Sequence, residues 1–275
     1  MTAVRPGFTS TRHFPRATRP VCRLCPGIAL DLGSARTRAW MRGRGIILDT
    51  PTVTFPGTGA SSPIQRGAIV DPEGTARMLE RLLARHIPAS GRPLIVLTTP
   101  VLGGVAYRKA ARTALDVLRP RTILTIPSAP AVALGAGKDM TRPLLIVDIG
   151  AHLTEVFLLD DGAVADAHSI ALGTDDLDRT ATHRDVTEAV TAKVADMLRL
   201  DHTSQTLDAL RNGVLLAGGG ALRPEFAHQL TGELRVPVRP VPGPHNAALR
   251  GAAKILESAH GHPSVTGLAD HPPKR

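Results

Sequence analysis

Gly27-Ile28-Ala29-Leu30-Asp31-Leu32-Gly33-Ser34 and Leu145-Ile146-Val147-Asp148-Ile149-Gly150-Ala151 carry one pattern twice: a short apolar run, an aspartate, one apolar residue, then glycine. Each run has the length and composition of a buried strand, and the glycine opens a tight turn. The segments after the two copies also repeat. After the first come Arg38-Ala39-Trp40-Met41 and Ile46-Ile47-Leu48, set off by Gly33-Ser34 and Arg42-Gly43-Arg44-Gly45, which read as a β-meander. Asp71-Pro72 then offers an N-cap and a proline at the first helical position, and Met78, Leu79, Leu82, Leu83 and Ile87 recur at helical spacing. A strand over residues 93–97, a helix over 104–118, a strand over 122–126 and a small-residue helix through Ala131-Val132-Ala133-Leu134 complete the order βββαβαβα.

The second copy reads the same way. Strands are predicted at 144–148, 154–159 and 163–170 with a turn at Asp160-Asp161-Gly162, then a helix over 184–200, a strand over 214–217, a helix over 223–230, a strand over 236–239 and a helix over 246–258. Strands alternating with helices give an α/β class of sheets covered by helices, and a doubled unit gives two lobes. A ligand is expected in the cleft between them. The expected boundaries are a basic disordered arm at 1–26, a first lobe at 27–140, a second at 141–258 and a disordered tail at 259–275.

Composition agrees with a globular chain: 43% of residues are apolar and 21% charged. Apolar runs such as residues 143–147 and 214–217 fall far short of the roughly 20 residues that cross a bilayer. Thirty-three Lys and Arg against 24 Asp and Glu leave a net charge of +9, which invites anionic partners. Much of the excess sits at the ends. Arg5, Arg12, Arg16, Arg19 and Arg23 precede Asp31 without an acidic residue, and Pro6, Pro15, Pro20 and Pro26 break any apolar or amphipathic leader there. The arm therefore reads as a cytoplasmic extension. Cys22 and Cys25 lack a second pair to complete a zinc site, and two cysteines give no disulfide framework, which suits a reducing compartment. With aromatics at 3%, no stacking platform for nucleic acid is visible.

The two Asp-x-Gly turns, Asp31-Leu32-Gly33-Ser34 and Asp148-Ile149-Gly150-Ala151, would face each other across the cleft. Tight turns of this kind aim backbone N–H groups at phosphate oxygens, and a carboxylate beside them holds the water shell of a magnesium ion. A third element, Leu216-Ala217-Gly218-Gly219-Gly220-Ala221-Leu222, runs a buried strand into three glycines and a helix. Three successive glycines are costly in entropy for a plain turn, and they let a purine or ribose approach the backbone.

At these residues the sequence resembles the MreB and Mbl branch of the actin superfamily, which also includes sugar kinases and heat-shock chaperones. The resemblance runs in order through residues 28–37, Gly43-Arg44-Gly45-Ile46-Ile47-Leu48, Gly67-Ala68-Ile69-Val70-Asp71, Ala133-Leu134-Gly135-Ala136-Gly137, Val147-Asp148-Ile149-Gly150 and residues 216–222. The glycine-rich hairpin at 42–51 points to MreB rather than to the kinases. The resemblance implies the two-lobed actin-like ATPase fold of duplicated, ribonuclease-H-like units, and a cytoplasmic filament former at the inner membrane face that guides cell-wall synthesis. It implies ATP and Mg2+ between the lobes. Ser34, Ala35 and Arg36 would stand on the first phosphate loop with Gly33, and Ala151, His152, Leu153 and Thr154 on the second with Gly150. Gly218, Gly219, Gly220 and Ala221 would lie on the adenosine, and Asp31 and Asp148 would hold the metal through water. Expected partners are further copies of the chain and cell-wall morphogenesis proteins, with peripheral contact to anionic membrane.

Three departures from the family pattern bear on function. Only about ten residues separate Thr54 from Ile64, where the family inserts the outer subdomain of the first lobe. The chain likewise passes from Gly173-Thr174-Asp175-Asp176-Leu177-Asp178 to the helix near Arg184 without the outer subdomain of the second. The family's water-orienting Glu and Thr are replaced by Pro127-Ser128 and Leu153; Pro127 and Leu153 carry no polar side-chain group. Weak or lost hydrolysis is expected, with Ser128 and His152 as the remaining candidates and Arg36 as a compensating phosphate ligand. Two alternatives share the fold: a non-hydrolysing scaffold, and a small-molecule kinase using Asp175, Asp176 or Asp178 as base.

Overall fold

The computed structural model describes residues 26–55, 57, 59–88 and 91–261; the basic arm with Cys22 and Cys25, and the tail beyond 261, lie outside them. The first half of the chain forms β1 (Gly27–Leu32), β2 (Arg36–Met41), β3 (Gly45–Pro51), a small hairpin of β4 (Ile64–Gln65) and β5 (Ala68–Ile69), α1 (Pro72–Leu83), β6 (Leu94–Thr99), α2 (Gly104–Leu115), β7 (Thr122–Pro127) and α3 (Ser128–Gly135). The second half forms β8 (Leu144–Ile149), β9 (Thr154–Asp160), β10 (Ala163–Ile170), α4 (His183–Leu200), α5 (Gln205–Arg211), β11 (Val214–Ala217), α6 (Pro224–Leu234), β12 (Val238–Pro240) and α7 (Ala247–Gly261). The doubled βββαβαβα order is present. The β4–β5 hairpin and α5 are additions that the periodicity did not signal, being too short to show one. Helix α7 runs three residues into the segment expected to be a disordered tail.

The halves build five-stranded sheets of matching order, β3-β2-β1-β6-β7 and β10-β9-β8-β11-β12. In each, an antiparallel meander is followed by strands added in parallel through helical crossovers. β6 is buried over its whole length, as expected of a central strand covered on both faces. β2 alternates inside and outside, so only one of its faces meets the core. Helix α1 starts where predicted: the Asp71 carboxylate accepts a hydrogen bond from the Gly74 N–H at 2.7 Å, and Pro72 occupies the first turn. Asp71→Ala should cost about 1 kcal/mol in urea denaturation, measurable as a lower midpoint with an unchanged slope.

Two helices knit the halves together. α3, apolar on all sides, sends Ala129, Val132 and Ala133 against Ile146, Phe157, Leu159 and Ala217 of the second sheet. α7 sends Leu249, Ala252, Ala253 and Leu256 against Ala29, Leu94 and Val96 of the first. Each half thus donates its last helix to the other's sheet. The two helices cross at glycines: a Cβ on Gly135 would lie 1.9 Å from the Ala247 carbonyl oxygen, and one on Gly251 would lie 1.9 Å from that of Ala131.

Candidate functional site

The two Asp-x-Gly turns share a geometry. The Gly33 N–H donates to the Arg36 carbonyl at 3.1 Å, and the Gly150 N–H donates to the Leu153 carbonyl at 2.8 Å. A Cβ on either glycine would press against that same carbonyl oxygen, at 2.9 and 2.8 Å. Close approach is therefore what requires glycine at these positions.

Both turns open onto one cleft of about 240 Å³ between the lobes. Of the residues singled out from sequence, Asp31, Gly33, Ser34, Ala35, Arg36, Ser128, Asp148, Gly150, Ala151, Leu153, Gly218 and Gly219 line it. His152, Thr154, Gly220 and Ala221 do not line it. Thr154 turns into the sheet, its hydroxyl donating to the Leu172 carbonyl at 2.9 Å. Gly220 packs under Ile149, and Ala221 belongs to the core of the second lobe. The His152 ring pairs with Asp175, Nε2 to Oδ2 3.2 Å, so the reading of His152 as a cleft base does not hold. Arg36 is also committed, its Nε 2.5 Å from Asp49 Oδ1 and its Nη2 donating to the Asp49 carbonyl at 2.7 Å.

A second cation lines the cleft: Arg38, largely buried, has Nε 3.3 Å from the same Asp49 Oδ1 and Nη1 3.8 Å from Asp31 Oδ2. Sequence reading passed over it, and over Thr98, Tyr107 and Glu155, because each lies in a regular strand or helix with no motif of its own. Thr98 donates to Asp31 Oδ1 at 2.7 Å. Glu155 is the cross-strand partner of Asp148 and is 6% exposed. It reaches over to the first lobe, accepting from the Val101 N–H at 2.9 Å and lying 3.2 Å from the Ser128 hydroxyl. Ser128, one of the two candidate bases, therefore has its hydroxyl occupied by a carboxylate.

Burial dominates the electrostatics. Desolvation pushes Asp148 up to about 7, with the charges of Glu155 and Asp31 adding to it. Glu155 is also raised to about 7 by burial, which outweighs its hydrogen bonds. Asp31 is raised by burial, partly offset by the Thr98 hydrogen bond and by Arg38. Three desolvated carboxyls around one cleft favour a cation there. Yet among the described residues no group of three or more acidic, His or Cys side chains could hold a metal unaided. That donor set fits magnesium, which keeps several waters and takes one or two carboxylates together with a substrate's phosphate oxygens.

A second bridge joins the two lobes. Arg66, in the β4–β5 turn, sets Nη2 2.8 Å from Asp176 Oδ1, and its Nη1 donates to the carbonyls of Ala171 and, at 3.3 Å, His152. Asp176 also accepts from the Gly173 N–H at 2.9 Å. Neither Asp175, Asp176 nor Asp178 lines the cleft, so no kinase base stands there from that segment.

A family profile described as MreB/Mbl protein matches residues 55–184. The cell shape-determining protein Mbl of Bacillus cereus is 24% identical over 318 residues, covering 84% of this chain and 96% of its own length. The chain is thus similar to the MreB and Mbl proteins, over nearly half of its length by the family profile and over 84% of it by the Bacillus cereus relative. Its fold is the actin-like ATPase fold: MreB 5 of Spiroplasma citri bound to AMPPNP superposes with a TM-score of 0.75 at 19% identity, covering 89% of this chain and 99% of that one. The MamK double helical filament gives 0.70 at 16% identity, covering 84% and 98%. An alignment 318 residues long on this 275-residue MreB-like chain must be opened by gaps in it. The structure has short connections where the family pattern puts its outer subdomains, from Pro51 to Ile64 and from Ile170 to His183. Among the described residues no helix is long and apolar enough to cross a membrane.

Proposed function

We propose that this MreB-like chain is a cytoskeletal protein of the cell-shape class that binds ATP with magnesium between its lobes and hydrolyses it weakly. The observation that carries the reading is the pair of matching glycine turns, each beside a buried aspartate, on opposite walls of one cleft. Ser34, Ala35 and Ala151 would offer backbone N–H groups to the phosphates, Gly218 and Gly219 would give the flat backbone for the adenosine, and Asp31 and Asp148 would hold the magnesium water shell. When bound, magnesium supplies charge neutralisation to the phosphates. Support by analogy comes from the relative in Spiroplasma citri, solved with AMPPNP, and from MamK, solved as a filament. The filament favours self-association by the same analogy; that the chain is cytoplasmic, acts with cell-wall morphogenesis proteins and lies at the inner membrane face is proposed from the sequence resemblance to MreB and Mbl.

Weak hydrolysis is expected from the surroundings of the missing Glu and Thr. Ser128 is a neutral hydroxyl whose proton goes to Glu155, and Leu153, packed against the Gly67 turn, has no polar group, so neither serves as a base toward a water. These contacts also favour a second reading, a scaffold that binds nucleotide without turning it over. Titration with a fluorescent ATP analogue, with and without magnesium, tests the first claim. Asp31→Ala and Asp148→Ala should each lose at least about ten-fold in magnesium-dependent affinity, about 1.4 kcal/mol. Unchanged affinity in both variants would sink the assignment, and phosphate release by the wild type separates weak turnover from none.

A further inference from the structure

Tyr107 is placed as a packing residue and carries two features that packing does not need. It stands on α2, 4% exposed, with its ring in the first lobe's core beside Leu97, Ala111 and Leu115. Its hydroxyl is buried and, among the described residues, has no hydrogen-bond partner. The residue nevertheless lines the cleft, on the same wall as Asp31, Thr98 and Ser128 and near enough to Asp31 and Glu155 to feel both charges.

A buried hydroxyl left unpaired is destabilising, and phenylalanine would fill the same space without that cost. Neither nearby carboxylate accepts from it: Asp31 Oδ1 takes Thr98 and Glu155 takes Val101 and Ser128, and the hydroxyl bonds to neither. Burial and these two charges raise the phenol, so it stays protonated across the physiological range and acts as a donor. It therefore needs an acceptor oxygen that comes from outside the protein, on the side of the cleft where the first glycine turn and Asp31 stand.

We infer that the Tyr107 hydroxyl is a ligand-binding group of the cleft, donating a hydrogen bond to an anionic oxygen at the polyphosphate end of the nucleotide. This rests on the reading of the cleft as a nucleotide site and adds to it a contact that none of the sequence motifs carries. The hydroxyl trades stability of the empty protein for affinity, as binding groups commonly do.

Tyr107→Phe removes one oxygen and keeps the ring. With the full chain, the variant should melt at a higher temperature than the wild type without ligand. It should also bind ATP–magnesium at least about ten-fold more weakly, while adenosine binding stays within about two-fold. A lower melting temperature without ligand would mean that the hydroxyl already has an internal partner, and would overturn the inference. So would unchanged ATP affinity, or an equal loss for adenosine. If the wild type binds no nucleotide at millimolar concentration, the nucleotide reading itself fails. The inference is then judged with tripolyphosphate and magnesium: a thermal shift lost in Tyr107→Phe upholds the hydroxyl as a phosphate ligand, and no shift in the wild type overturns it.

Discussion

Gly251→Val is expected to yield no stably folded protein, and Gly251→Ala to lose at least about 3 kcal/mol in urea denaturation. In an isolated helix the sign would be opposite, since alanine is favoured over glycine by about 1 kcal/mol in a helix interior. Here the helix is not isolated. A Cβ at 251 would lie 1.9 Å from the Ala131 carbonyl oxygen, and that atom is backbone, so it yields only if α3 and α7 move apart. Moving them apart unseats Leu249 and Leu256 from the first sheet and Val132 from the second sheet's cluster. Gly135→Ala should behave likewise, through the Ala247 carbonyl. Gly232→Ala is the control: it lies within α6, where an added Cβ would meet nothing within 4 Å, and should be neutral or stabilising by up to about 1 kcal/mol. Equal effects at 232 and 251 would refute the crossing geometry.

The second large effect is a pH dependence that runs against common experience. Most carboxylates in folded proteins are stabilising when ionised; Asp148 and Glu155 are raised to about 7, and Asp31 is raised as well. For a raised acid the folded state holds a proton that the unfolded state releases, so stability falls as pH climbs from the unfolded value toward and through the folded one. Without ligand, the protein should therefore melt higher at pH 6.5 than at pH 8.5, by about 5 °C if the buried pair contributes about 2 kcal/mol. His86, depressed by partial burial and by Arg44 and Arg85, works in the opposite sense, but below that window. Glu155→Gln and Asp148→Asn should each flatten the dependence, and a double variant should remove most of it. A melting temperature that rises with pH over this range, or one untouched in both variants, would show that the cleft carboxyls are not desolvated.

Much of the fold was legible because strand and helix periods are local. The apolar run of β6, the Asp71-Pro72 start of α1 and the two Asp-x-Gly turns each announce themselves within a few residues, and their repetition in order is enough to give two lobes. The glycine turns were legible as sites for the same reason: a backbone pressed against its own chain three residues on needs glycine, and the sequence writes that need down. His152, Thr154, Gly220 and Ala221 were drawn in only because they adjoin such residues in the chain, whereas His152 turns to Asp175, Thr154 opens β9 with its hydroxyl on the Leu172 carbonyl, and Gly220 and Ala221 pack into the second lobe.

The sequence by itself thus determined the doubled α/β architecture, the MreB-like resemblance and the backbone of the phosphate-type turns. Tertiary structure alone decided which side chains furnish the cleft. Arg38, Thr98, Tyr107 and Glu155 come from strands and a helix far apart in the chain, and nothing local distinguishes them from residues of an ordinary core. It also decided that Arg36 is spent on Asp49, that Ser128 is spent on Glu155, and that α3 and α7 exchange lobes at two glycines. The physical reason is common to all three. Burial, charge pairing and steric contact depend on distances through space, and the sequence records only distances along the chain.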